Sequence, residues 1–368
     1  MEDILVIFTG GTIGSSVGDD GFISLDDKGA FGIVDMYADE YGGRERFKCI
    51  QPFTFLSENA VQDTWNRLLE VLRGIDLNKW KGIIITHGTD SVSYTAALLG
   101  VLYKDVLPCP LVLVTTNKPP AEQGSNALMN FAGAVRLIDY LALSGGYNDV
   151  YAVWHGGDFY NVYRGMETVA ADTATDNISV YGGQPFAEFY PEGLSMTGNS
   201  YNWRVVMNDK HEDRCGIVIN NDRRDRIISG EIPVCGKVAF IQQYPGLDYN
   251  VIDTEKADAV LVYTYHSGTL CTAGEETSFT RFAGECAKKG KRLYVASLKK
   301  SDEMPDEQEI TVEIAGGEGV KENGANKAPA YITTKEWMDA GVIPLYDMSK
   351  EAAYIYCVLS ESLRIAGG

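Results

Sequence analysis

Positive charge and histidine are both scarce in this chain. Its 368 residues hold 32 Lys and Arg against 51 Asp and Glu, with only 4 His, for a formal charge of −19. A surface so short of cations repels phosphate backbones and anionic lipid heads, which argues against nucleic acid or a membrane as partner. No two histidines stand at metal-ligand spacing, and the seven cysteines (Cys49, Cys109, Cys215, Cys235, Cys271, Cys286, Cys357) include no C-x-x-C pair. A zinc site is therefore not expected. The odd, scattered set of thiols reads as free cysteines in a reducing, cytoplasmic compartment. Apolar runs such as Ile4–Phe8 and Leu111–Val114 fall far short of the ~18–20 residues a helix needs to cross hydrocarbon, so no spanning segment is expected. The start, Met1-Glu2-Asp3, has no basic region ahead of its apolar stretch, and no secretory signal is expected.

What is present suffices for a large core: 45% hydrophobic residues, with 21 Tyr, 13 Phe and 5 Trp. At ~150 residues per domain the length suggests about two domains. Ile4–Phe8 is a continuous β-branched and apolar run, the pattern of a strand covered on both faces. Gly82–Ile85, Leu111–Val114 and Val150–Trp154 read the same way. Between them Val61, Trp65, Leu68, Leu69 and Leu72 form a helical stripe, and Ser91–Val106 carries apolar residues at helical spacing. The second half repeats the theme, with strands at Lys237–Ile241, Ala259–Tyr263 and Arg292–Val295 and helices over Thr277–Lys289 and Ser349–Ile365. Alternating strands and helices predict an α/β fold on a mostly parallel sheet. The charged stretch Asn208–Glu231 is expected as a linker between an N-terminal domain (1–207) and a C-terminal one (232–368). Glu313–Pro329, rich in Gly, Lys and Glu, is expected as a surface excursion.

In open parallel sheets, ligands bind beyond the carboxyl ends of the strands. Two glycine-bracketed turns present a threonine there: Thr12 in Thr9-Gly10-Gly11-Thr12-Ile13, and Thr89 in Thr86-His87-Gly88-Thr89-Asp90. Gly11 and Gly88 permit close approach of backbone and substrate, and exposed N–H groups there can hold a developing oxyanion. A threonine hydroxyl becomes a nucleophile once a base takes its proton, and the Asp90 carboxylate can orient such a base or grip an ammonium. The competing reading is structural, since threonine also caps helices that follow such turns.

These segments resemble the two signatures of the bacterial-type L-asparaginase family. Leu56-Ser57-Glu58-Asn59 is similar to its serine-containing substrate loop. Val162-Tyr163-Arg164-Gly165 is similar to a segment of its cytoplasmic members. Tyr346-Asp347-Met348-Ser349, followed by Glu351-Ala352-Ala353, resembles the opening of its last helix. The resemblance implies an amidohydrolase with a larger N-terminal sheet domain and a smaller C-terminal Rossmann-like domain. It implies sites shared between subunits of a homodimer or homotetramer, and neither metal nor organic cofactor. It makes Thr12 the nucleophile and Thr89 the second catalytic threonine, with Asp90 holding the substrate's α-ammonium. Ser57 would contact the α-carboxylate and Glu58 the amino end. The Gly14–Asp26 segment would be a mobile lid.

The match breaks at chemically important places. Where the family has a lid tyrosine this chain has Phe22, and where it has a lysine after Tyr-Arg-Gly this chain has Ala170. An asparagine lent to the neighbouring site aligns with Thr269. Lys118 and His155, both at strand ends, are candidate substitutes for the missing amine and base, or else a solvated lysine and a hydrogen-bonded loop histidine. Glu58 favours a cationic substrate group, or merely a helix dipole. The alternative function is an amino-acid binding protein on the same fold with little turnover. A further alternative is dinucleotide binding through Thr9-x-Gly11-x-x-Gly14, which lacks the first glycine and a ribose-binding acid, Asp19 and Asp35 being poorly placed.

Overall fold

The opening apolar run forms β1 (Glu2–Phe8), whose Ile4, Leu5, Val6 and Ile7 are all buried, as a strand covered on both faces requires. The computed structural model describes residues 2–17, 23–25, 31–145, 147–192, 202–207, 217–298, 308–310 and 332–367. It divides into two units, Met1–Glu212 and Asp213–Gly368.

In the first unit β1 is followed by a short ribbon of β2 (Ser15–Val17) and β3 (Ile23–Leu25). Next come α1 (Gly32–Tyr41), β4 (Phe47–Ile50), α2 (Gln62–Arg73) and β5 (Trp80–Thr86). They lead into α3 (Val92–Tyr103), β6 (Leu111–Val114), α4 (Ala127–Ser144) and β7 (Val150–His155). The chain then turns antiparallel through β8 (Tyr160–Arg164), with a two-residue pair β9 (Thr168–Val169) and β10 (Ser179–Val180) beside it in sequence. β11 (Ala187–Glu192) and β12 (Asn202–Met207) finish the unit. The eight-stranded sheet runs β12-β11-β8-β7-β6-β5-β1-β4, parallel from β7 to β4. Side chains alternate across it: Ile4, Val6 and Phe8 join Ile84, Val112 and Phe131 in a core shared with α1 and α4. The stripe read on α2 is buried at Trp65, Leu68, Leu69 and Leu72, and the Trp65 indole donates to Thr95 Oγ1 of α3 at 3.1 Å. Full burial of each such side chain contributes roughly 1.5–3 kcal/mol.

Three sequence expectations change here. The 18-residue helix α4 has the length and apolarity to cross a membrane, contrary to the expectation that no segment would. It instead packs on the sheet and α1, with Phe131, Val135 and Ile138 buried. The turn after β1 enters a single 3-10 turn, Thr12–Gly14, and then β2, so no α-helix N-terminus faces a pyrophosphate and the dinucleotide alternative fails. Within the stretch expected as linker, residues 217–228 form β13 (Ile217–Ile219) and α5 (Asn221–Ile228). Asn220 caps α5 by accepting from the Asp222 and Arg223 amides, and Ile227 anchors it. The lid residues 18–22 and 26, and the excursion 313–329, lie outside the described residues.

The second unit continues with β14 (Val238–Gln242), β15 (Ala259–Tyr263), α6 (Phe279–Lys288) and β16 (Arg292–Leu298). β17 (Gln308–Ile310), α7 (Ile332–Met338), β18 (Ile343–Tyr346) and α8 (Lys350–Gly367) complete it. Its parallel sheet runs β14-β15-β16-β18, over a core of Val260, Val262, Phe279, Phe282 and Trp337. The result is α/β in both units, with the larger sheet in the first, as the sequence predicts.

Candidate active site

Strand register decides where the two threonine turns emerge. Phe8 pairs with Thr86, Thr86 with Val114 and Val114 with Val153, so β1, β5 and β6 end level with one another while β7 runs on to His155. The segments beginning at Thr9, His87 and Thr115 therefore leave the sheet side by side. The first two are stitched together: the Thr9 hydroxyl donates to the Thr86 carbonyl at 2.6 Å, and the Thr9 amide donates to Thr86 Oγ1 at 3.3 Å.

The glycines make the contact closer still. Gly11 sits at φ +77°, and a Cβ built there would lie 2.3 Å from the Gly88 nitrogen. A Cβ on Gly88 would lie 2.4 Å from Ser57 Oγ. Three segments that are remote in sequence thus touch through Gly11, Gly88 and Ser57. The Gly11 amide donates to the Phe55 carbonyl at 3.3 Å, which ties the first turn to the serine loop. Thr12 follows Gly11, half-buried, with no hydrogen bond from its hydroxyl to any described residue.

The serine loop is fastened to the second turn. Ser57 Oγ donates to Asp90 Oδ2 at 2.9 Å, and Ser91 Oγ donates to the Ser57 carbonyl at 2.7 Å. Ser57 is 5% exposed while Asp90 is exposed, so the pair joins the interior of the site to solvent. Glu58 is exposed on the 3-10 turn Ser57–Asn59, ahead of α2; the acidic residue in that helix's first turn is Asp63. Glu58 therefore lies outside the first turn of α2.

Thr89 does not cap α3. Its hydroxyl crosses to the tip of β6, donating to the Thr116 carbonyl at 2.8 Å and lying 2.7 Å from Thr115 Oγ1. The β6 tip is itself held: Asn130 Nδ2 donates to the Thr115 carbonyl at 2.7 Å, and Asn130 Oδ1 accepts from the His155 amide at 2.6 Å. Neither candidate substitute reaches Thr89. Lys118 is exposed, with Nζ 3.5 Å from the Gln123 carbonyl of its own loop. The His155 ring lies against Tyr160 at 5.2 Å, and burial pushes its pKa down. Ala170 is half-buried just after β9, Thr269 lies in a turn after β15, and Phe22 is outside the described residues.

His87 is 1% exposed, and burial lowers its pKa to about 4, so the imidazole is neutral near pH 7. Its Nδ1 lies 2.8 Å from the Gly88 carbonyl, which can only accept, so Nδ1 carries the proton. Nε2 is then a bare acceptor with no hydrogen-bond partner among the described residues, beside the Phe55 ring at 5.2 Å. Thr115, Thr116 and Asn130 were not evident as site residues in the sequence. Thr115 and Thr116 have one signal, the polar run Thr115-Thr116-Asn117 directly after a fully apolar strand, and Asn130, inside α4, has none.

The family model for the asparaginase N-terminal domain matches residues 3–187. The chain is similar to the D-type subunit of the glutamyl-tRNA(Gln) amidotransferase of Aeropyrum pernix, 24% identical over 310 residues, covering 83% of this chain and 62% of that one. Its similarity to the corresponding protein of Methanosphaera stadtmanae is 27% over 242 residues, 63% of this chain and 49% of that one. The chain thus spans about half to two thirds of the length of these relatives. Among solved structures, the thermostable L-asparaginase from Thermococcus kodakarensis superposes with TM-score 0.64 at 20% identity, over 99% of this chain and 96% of that one. L-asparaginase I from Vibrio cholerae gives 0.56 at 20%, over 96% and 91%. At such identity the likeness is one of fold.

Proposed function

The chain belongs to the asparaginase family, and from that premise we propose that it hydrolyses the side-chain amide of L-asparagine, or of a related small amino acid such as L-glutamine, to the acid and ammonia. The observation that carries this reading is the contact of Gly11, Gly88 and Ser57, with Ser57 bonded to Asp90. It gathers the groups that would bind an amino acid around the turn that bears Thr12. Relatives named as amidotransferase components and solved structures named as L-asparaginases lend support, because both names concern an amide nitrogen.

In this mechanism Thr12 Oγ attacks the amide carbon, its proton leaves with the departing ammonia, and an ester to Thr12 forms. Water then cleaves the ester and returns the proton to Thr12. Binding would rearrange one proton: Ser57 turns its hydroxyl from Asp90 to the substrate's α-carboxylate, which frees Asp90 for the α-ammonium. Glu58 adds negative charge near the amino end, and the backbone N–H of Gly88 is the candidate oxyanion donor, that of Gly11 being bonded to the Phe55 carbonyl. We propose further that the protein works as a homo-oligomer in the cytoplasm.

The test is ammonia release from a panel of amides by wild type and Thr12→Ala. The expected result is turnover of at least one small amino-acid amide, reduced at least ~10³-fold in the variant with an unchanged melting temperature. Turnover that survives in Thr12→Ala removes Thr12 from the mechanism. A second reading is a binding protein, favoured by the absence of any charged partner on Thr12 or Thr89 among the described residues. Thermal stabilisation by asparagine or aspartate with no ammonia from any amide would select it.

A further inference from the structure

The hydrogen bonds around Thr89 have a direction. A threonine hydroxyl has one proton to donate and two lone pairs to accept with. The Thr89 proton points at the Thr116 carbonyl, which can only accept, 2.8 Å away. The 2.7 Å contact to Thr115 Oγ1 must then run the other way, with Thr115 as donor. Thr115 is 1% exposed, and its own carbonyl is fixed by the fully buried Asn130. Thr116 is equally buried, and its hydroxyl is engaged with Asn126 Oδ1 at 3.0 Å and the Lys118 carbonyl at 2.8 Å. Both partners of Thr89 are thus neutral and held.

We propose that Thr115 is a positioning residue that holds Thr89 in the rotamer whose proton goes to the Thr116 carbonyl, so that Thr89 faces a ligand as an acceptor only and the site prefers a ligand's amide –NH2 to the carboxylate of the corresponding acid. With its proton spent on Thr116 and one lone pair taken by Thr115, half-buried Thr89 has a single lone pair left. An amide N–H can donate to it. A carboxylate oxygen meets lone pair against lone pair and is repelled. The inference rests on the amide-hydrolase reading for its ligand, and it adds how substrate and product would be told apart.

Removing the Thr115 hydroxyl strands no buried donor, because the Thr89 proton still has the Thr116 carbonyl within reach, and Thr115→Val is therefore expected to fold. With one of its two bonds gone, the Thr89 side chain can turn away from the Thr116 carbonyl and offer its proton to a ligand instead. The experiment compares the affinities of L-asparagine and L-aspartate by calorimetry, in a Thr12→Ala background that stops turnover. The amide-over-acid preference should fall about fivefold in Thr115→Val, the effect of about one hydrogen bond, and stay within about twofold in Thr115→Ser. A crystal structure of Thr115→Val should show the Thr89 side chain in a new or second rotamer. An unchanged preference, or a Thr89 rotamer identical to wild type, overturns the proposal. Ammonia release by the wild type judges the amide-hydrolase reading separately, since the rotamer is read without any substrate.

Discussion

The two threonines of the site differ in a way that their matching turns hide. Thr89 is wired into the tip of β6 by two hydrogen bonds, whereas Thr12 is bonded to no described residue. In the second turn lies buried His87, which cannot take a proton cheaply. Its unfolded pKa is near 6.5 and its folded value is about 4. As pH falls through 6.5 the unfolded chain gains a proton that the folded one refuses, so this stability is complete above pH 6.5 and is lost between 6.5 and 4. The full swing is about 3 kcal/mol. His87→Asn keeps a donor near the Nδ1 position and removes the titration. Urea unfolding at pH 7 and pH 4.5 should show a smaller drop for the variant than for wild type. Equal drops would mean that His87 is not the buried base described here. Thr12, Thr89 and Asp90 are legible as candidates in the sequence, because glycine-bracketed turns at strand ends are local patterns, whereas Ser57 is a candidate only through the family resemblance. Thr115 and Asn130 were not legible, because their importance comes from the pairing of β5 with β6, which no local spacing encodes.

At the scale of elements, the site depends on how closely two turns can pack. Gly11→Ala would force a Cβ to 2.3 Å from the Gly88 nitrogen and hold a side chain at φ +77°. We expect a loss of about 1–3 kcal/mol from the overlap, seen as a lower denaturation midpoint. Unchanged stability would show that the turns can separate freely. Gly88→Ala pushes instead on Ser57 Oγ, so the Ser57–Asp90 bond should break and KM rise at least about fivefold, with a smaller change in kcat. A change confined to kcat would place Ser57 outside substrate binding. The strands β1, β5, β6, β7 and β15 were readable from continuous apolar runs, and α2 from its one-sided stripe. Helix α4 was not, because it is packed by the sheet and α1 and carries apolar residues around much of its circumference. Helix α5 was missed for the opposite reason: Ile227 is its sole buried residue, so its charge read as linker.

For the whole molecule, the acidic balance bears on assembly. Copies carrying −19 each repel at low ionic strength, and that repulsion fades once the screening length shortens to ~8–10 Å. If the chain works as a homo-oligomer, sedimentation should show at least a dimer at 0.15 M salt, loosening as salt is lowered. A fully active monomer at every salt concentration would contradict that. The fold class followed from the alternation of strands and helices; the number of copies does not follow from one chain. If Thr12 forms a covalent ester during turnover, rapid acid quench of the wild type with a turned-over amide, followed by peptide mass mapping, should trap it. An acyl ester is expected on the peptide that contains Thr12 and is absent from Thr12→Ala; ammonia released with that peptide never modified, or the ester found on another residue, would rule Thr12 out as the nucleophile.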